Sequence, residues 1–109
     1  MSNCKDEFIK QVGDKEILCA VIVRGDESYM TDIKKFLLPV GYTSSKLEAF
    51  LKSINFSYDS GYGGQEVFGN IWYKDGAWSE RGEYDGSEWW EYKKCPEIPV
   101  DLLKNKVKG

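Results

Sequence analysis

Two Asp-Gly dipeptides, Asp75-Gly76 and Asp85-Gly86, stand ten residues apart and cut the stretch 66–93 into three segments of strand length. Asp and Gly both tolerate positive φ, so each dipeptide is a strong signal for a tight β-hairpin turn. The pattern predicts an antiparallel meander with strands over 66–74, 77–84 and 87–93. With two-residue loops at both turns, Lys74 opposes Ala77 and Tyr84 opposes Ser87, which fixes the faces; three-residue loops with a G1 bulge would shift the pairing and reassign them. One face then collects Val67, Gly69, Ile71 and Tyr73, then Trp78, Glu80, Gly82 and Tyr84, then Trp89, Glu91 and Lys93. The other collects Phe68, Asn70, Trp72 and Lys74, then Ala77, Ser79, Arg81 and Glu83, then Glu88, Trp90 and Tyr92.

In this register Gly69, Gly82 and Trp89 share one cross-strand row, where the two glycines leave room for the indole to lie flat. That face is expected to be core. The second face groups Phe68, Trp72, Trp90 and Tyr92 around Arg81 and is expected to be exposed. The register also sets Glu80 opposite Glu91 and Glu83 opposite Glu88, two pairs of like charge.

The rest of the chain supplies helix and further strands. Ser45 and Glu48 match an S-x-x-E capping box, and Leu47, Phe50, Leu51 and Ile54 follow at helical spacing, so a helix is expected over about 45–54. Ile17 to Val23 is apolar on both faces and reads as a central strand. Segments 7–12 and 16–24, separated by Gly13-Asp14-Lys15, suggest a hairpin; a short helix over 4–12 stopped by Gly13 is the alternative. Phe36-Leu37-Leu38 before Pro39 fits an edge strand or a buried turn. Cys95-Pro96-Glu97-Ile98-Pro99 ends the sheet, since proline cannot donate to a ladder. The expected class is α+β: an antiparallel sheet of four to six strands with one main helix on one face. The chain of 109 residues suits one domain over 1–99 and a lysine-rich tail over 100–109.

Charge and composition narrow the function. Residues 59–101 carry ten acids against four bases, and eleven of the sixteen aromatics fall between Phe56 and Tyr92. Acid and aromatic therefore coincide. An aromatic platform for single strands works inside a basic groove, so direct nucleic-acid binding is not expected. Histidine is absent, which excludes Ser–His–Asp and Cys–His nucleophiles. Cys4, Cys19 and Cys95 are odd in number and lack metal-ligand spacing, so no metal or cofactor is expected and a reducing cytoplasm fits. No leader is visible, and the longest apolar run, seven residues, cannot span a bilayer. The paired carboxylates could serve a hydrolase only inside a cleft. Tyr62-Gly63-Gly64 resembles a phosphate-cradling loop, but no Lys-Ser/Thr follows it and a strand comes next.

The segments Tyr58-Asp59-Ser60-Gly61-Tyr62-Gly63-Gly64-Gln65, Gly69-Asn70-Ile71-Trp72, Asp75-Gly76-Ala77-Trp78 and Arg81-Gly82-Glu83-Tyr84-Asp85-Gly86-Ser87-Glu88-Trp89-Trp90 resemble small proteins carried by bacteriophages and other mobile elements, over about residues 36–99. By analogy the resemblance implies an anti-defence inhibitor, of the anti-CRISPR kind, acting in a host cytoplasm by blocking a nuclease or defence complex. The leading expectation is a non-enzymatic protein-binding module whose acidic, aromatic surface meets a basic partner, with Trp72, Arg81, Glu83, Glu88, Trp90 and Tyr92 as contacts. The alternative is a nucleotide-like small-ligand binder using Tyr62, Gly63, Gly64 and aromatic walls.

Overall fold

Asn3 decides how the chain begins. Its side chain accepts a hydrogen bond from the Asp6 amide at 3.0 Å, satisfying one of the four orphan donors of a helix start. The helix continues to Val12 and stops where Gly13 turns to φ 59° and donates its N–H to the Ile9 carbonyl. Cys4, Phe8 and Val12 fall at i, i+4 and i+8, and all three are buried. The hairpin expected over 7–24 therefore does not form; the cap, the stop and the apolar stripe all favour the helical alternative.

The computed structural model describes residues 2–25, 33–58, 64–84 and 87–103. In chain order the elements are β1 (Ser2–Asn3), α1 (Cys4–Val12), β2 (Ile17–Arg24), β3 (Lys34–Leu38), α2 (Ser44–Ser53), β4 (Ser57–Tyr58), β5 (Val67–Tyr73), β6 (Trp78–Tyr84), β7 (Ser87–Lys93) and α3 (Val100–Leu103). Five strands form one antiparallel sheet in the order β3-β2-β5-β6-β7, and β1 pairs with β4 in a two-stranded ribbon. The class is α+β with the expected C-terminal meander, and the apolar run 17–23 is an interior strand. The segment around Phe36 is an edge strand. Two helices, not one, cover the sheet.

The helix α2 carries the expected stripe, with Phe50 and Ile54 buried and Leu47 and Leu51 packed beside them. Its cap differs from expectation. Thr43 accepts from the Lys46 amide through Oγ1 at 3.2 Å, so the Ser45–Glu48 box is not the start. The rings of Phe8 and Phe50 meet edge to face at 5.4 Å, joining α1 and α2 over the sheet. Beneath them lie Ala20 and Ile22 of β2, Leu38 of β3, and Val67 and Ile71 of β5.

The second turn of the meander keeps the expected register, with Tyr84 opposite Ser87 and Gly82 opposite Trp89. The first does not. Ile71 pairs with Ser79 and Trp72 with Trp78, so Lys74-Asp75-Gly76 form a three-residue loop. Tyr73 donates its N–H to the Ala77 carbonyl, Gly76 takes φ 93°, and the Asp75 carboxylate accepts the Ala77 amide at 2.9 Å. A shift of one residue exchanges the faces of everything downstream. From Trp78 onward the expected core and surface sets are therefore swapped: Ser79, Arg81, Glu88 and Trp90 turn toward the helices, beside Val67, Ile71 and Tyr73. Packing selects this register, because it brings Tyr73 Oη and Ser79 Oγ to 2.7 Å inside the core and sets Trp90 edge-on to Phe8.

Candidate binding surface

Arg81 lies at the centre of the helix-side face. Its side chain is 2% exposed and its charge is met from several elements at once. One terminal nitrogen donates to Glu88 Oε1 at 3.1 Å and to the Tyr58 hydroxyl at 2.8 Å, and Nε donates to the Val67 carbonyl at 3.3 Å. The other terminal nitrogen stands 3.7 Å from Glu7 Oε1, whose carboxylate also accepts from the Tyr58 hydroxyl. The guanidinium also sits over the Trp90 ring, 5.2 Å from its centroid. Glu88 is equally enclosed. Its two oxygens accept the Glu66 and Val67 amides at 2.8 and 2.9 Å, so this side chain closes the entry to β5.

These contacts tie α1, β4, β5, β6 and β7 through one buried ionic group. Burial raises the Tyr58 phenol well above its usual range, with the Glu7 hydrogen bond adding to the effect and Arg81 opposing it. Burial likewise pushes the Cys4 thiol up to about 12, again against the pull of Arg81. The arrangement holds the fold together. Of the six expected contact residues, Arg81 and Glu88 are thus turned inward, and Trp90 is half-buried against Phe8 and Arg81. Tyr92 lies on the same helix-side face nearer the rim, 5.9 Å from Tyr73 with the Lys15 ammonium 4.7 Å above its ring. Glu83 is exposed at the far end of β6. Trp72 faces the other way. Tyr62 and Gly63 lie outside the described residues, and Gly64 is exposed with open space where a Cβ would stand.

The face opposite the helices carries what the shifted register sends there. Alternation along the strands places Phe68, Asn70 and Trp72 of β5, Trp78, Glu80 and Gly82 of β6, and Trp89, Glu91 and Lys93 of β7 together on it. Val21 and Val23 of β2 and Leu37 and Lys35 of β3 extend it to the far edge. Among the described residues no helix covers this face. Trp72 and Trp89 remain 39% and 38% exposed and Leu37 62%.

Its aromatic half is organised. Trp89 packs over Gly82, with its indole where a Cβ would be met at 2.8 Å. The expected row of three does not form, because the shifted first turn leaves Gly69 on the helix side with Ile71 and takes Gly82 and Trp89 to the open face. Trp89 donates its indole N–H to Glu91 at 2.9 Å, and Trp78 donates to Glu80 at 3.1 Å. The Lys93 ammonium stands between the two carboxylates, 3.6 Å from Glu80 and 3.8 Å from Glu91. The expected repulsion between Glu80 and Glu91 is thereby balanced by a cation. Trp78, Glu80, Trp89, Glu91 and Lys93 were absent from the expected site. A three-residue reading of the Asp75-Gly76 turn would have found them, since it sends all five to the uncovered side.

Among the described residues no three His, Cys, Asp or Glu side chains gather closely enough to hold a metal ion, and no helix is long and apolar enough to cross a membrane. Comparisons with protein families, with curated proteins and with solved structures give no match.

Proposed function

We propose that the chain is a non-enzymatic protein-binding module whose working surface is the open face of the five-stranded sheet. The observation that carries this reading is the uncovered stripe of Trp72, Trp78, Trp89, Phe68, Val21, Val23 and Leu37 on a face opposite a fully furnished core. A contiguous apolar patch rimmed by charge marks interaction surfaces, and Trp residues dominate their binding energy. The local carboxylates, with the ten acids of residues 59–101, suit a partner that presents a basic surface. In the phage-type reading that partner is a host nuclease or defence complex.

The test compares capture by variants on the two faces. Immobilised wild type, Trp72→Ser and Trp89→Ser on the open face, and Ile9→Ser on the exposed side of α1 are each incubated with a bacterial lysate. A partner held by wild type and Ile9→Ser and reduced at least about tenfold by both tryptophan variants supports the reading, since an interface tryptophan is worth about 2 kcal/mol or more. Retention by the tryptophan variants, or loss with Ile9→Ser, contradicts it.

A further inference from the structure

The cluster Trp78–Glu80–Lys93–Glu91–Trp89 has the parts of a cation-recognition site, and it is already occupied by the chain's own lysine. We infer that this cluster receives an arginine side chain of the partner, with Lys93 as an intramolecular placeholder that the guanidinium displaces. The inference rests on the open face being the surface that meets the partner.

Three observations converge on it. Each carboxylate uses one oxygen to accept an indole N–H and turns the other toward the cation. Glu80 gives Oε1 to Trp78 and Oε2 to Lys93; Glu91 gives Oε2 to Trp89 and Oε1 to Lys93. The indole N–H edges are thus held by the same carboxylates that bind charge. Second, the separations of 3.6 and 3.8 Å exceed hydrogen-bond length, so the ammonium neutralises both carboxylates without bonding to either. A guanidinium carries five N–H donors in a planar fork and can donate to two acceptors on different sides at once, which an ammonium at these distances does not do. Third, all three charged side chains are about two-fifths exposed, and an exposed pair of this kind is cheap to exchange. Arg81 behind the sheet shows the same preference in the fold itself, stacked over Trp90 and bonded to Glu88.

The probe is the peptide acetyl-Ala-Arg-Ala-amide, titrated into the 15N-labelled full chain while the four indole N–H resonances are followed. Saturable movement of the Trp78 and Trp89 signals, with Trp90 unmoved, is expected. Lys93→Met should tighten binding about threefold by removing the competitor, and Lys93→Gln should do the same; Glu91→Gln should weaken it by a similar factor. The Lys analogue of the peptide should bind more weakly than the Arg peptide. Absence of saturable movement in both Lys93 variants overturns the proposal, as does equal binding of the Arg and Lys peptides. Equal weakening by Glu48→Gln on α2 would mean undirected charge attraction and overturns it too. Silent indoles combined with partner capture that depends on Trp72 and Trp89 would remove the arginine site and leave the docking face. Arginine-dependent shifts combined with capture indifferent to those residues would do the reverse.

Discussion

Glu88 and Glu83 sit opposite each other on neighbouring strands, yet replacing them should have very different consequences. In Glu88→Ala the Glu66 and Val67 amides lose the acceptor that meets them at 2.8 and 2.9 Å, and Arg81 loses its 3.1 Å partner while staying enclosed. Orphaning a buried amide costs about 1–3 kcal/mol, and removing one member of a buried ion pair costs about 3–5 kcal/mol. These penalties overlap. Tyr58, the Val67 carbonyl and Glu7 still meet part of the guanidinium, so a net loss of about 4 kcal/mol is expected. That is a large share of the roughly 5–15 kcal/mol available to a domain of this size. Urea unfolding followed by tryptophan fluorescence reads it directly: with a slope of about 1–2 kcal/mol/M, the midpoint should fall by roughly 2–4 M. Glu83→Ala, at an exposed position, should change stability by less than about 1 kcal/mol. The double variant Arg81→Met/Glu88→Leu should recover part of the loss, because the uncompensated charge goes while the two amides still lack their acceptor. A Glu88→Ala protein within 1 kcal/mol of wild type would refute the reasoning.

Other expectations follow from single positions. Gly69 has φ 152°, and a Cβ there would stand 2.2 Å from the Val21 carbonyl oxygen of the paired strand, whereas a Cβ at Gly64 meets nothing within 4 Å. Gly69→Ala should therefore cost at least about 2 kcal/mol in urea unfolding and Gly64→Ala less than about 0.5 kcal/mol; equal effects would contradict the strand geometry. Cys4 and Tyr58 are held neutral, with pKa values raised above their ordinary 9.0 and 10.0. Their contribution is complete below about pH 9 and is lost as the pH rises toward the folded values, because the unfolded chain ionises first. The melting temperature should therefore decline from pH 9 to 11, and Cys4→Ala should flatten the first part of that decline; a flat profile in wild type would count against the burial described. At pH 8 a thiol reagent should label the exposed Cys95 first and the buried Cys4 last, and the reverse order would do the same.

The parts of the fold legible in the sequence were those with a single physical solution. The α2 stripe of Leu47, Phe50, Leu51 and Ile54 suits only a helix, and the run 17–23 suits only an interior strand. Asp85 and Gly86 lie outside the described residues, but the strands on either side of them pair in the expected register with Tyr84 opposite Ser87, and Gly82 beneath Trp89 followed from it. Asp75-Gly76 is ambiguous by nature. The same dipeptide serves a two-residue loop or a three-residue loop with Gly in the left-handed region, and tertiary contacts choose between them. Here the choice rests on Tyr73 meeting Ser79 and on Trp90 meeting Phe8, and Phe8 lies on a helix that local sequence did not separate from a strand. The candidate site inherited that ambiguity. One residue of loop length exchanged Arg81, Glu88 and Trp90 for Trp78, Trp89, Glu80, Glu91 and Lys93, and the property that made Arg81 look functional, a cation amid aromatics and acids, belongs to its role in the core.

The division of the tryptophans between the two faces underlies both the fold and the proposed binding surface, and one measurement reads it indole by indole. With a soluble, uncharged paramagnetic agent, the relaxation of each indole N–H reports its distance from solvent. Trp72 and Trp89 should relax strongly, Trp78 to an intermediate degree, and Trp90, whose Nε1 is enclosed, least of all. Strong relaxation of Trp90 together with protection of Trp89 would place the opposite face toward solvent and contradict the account.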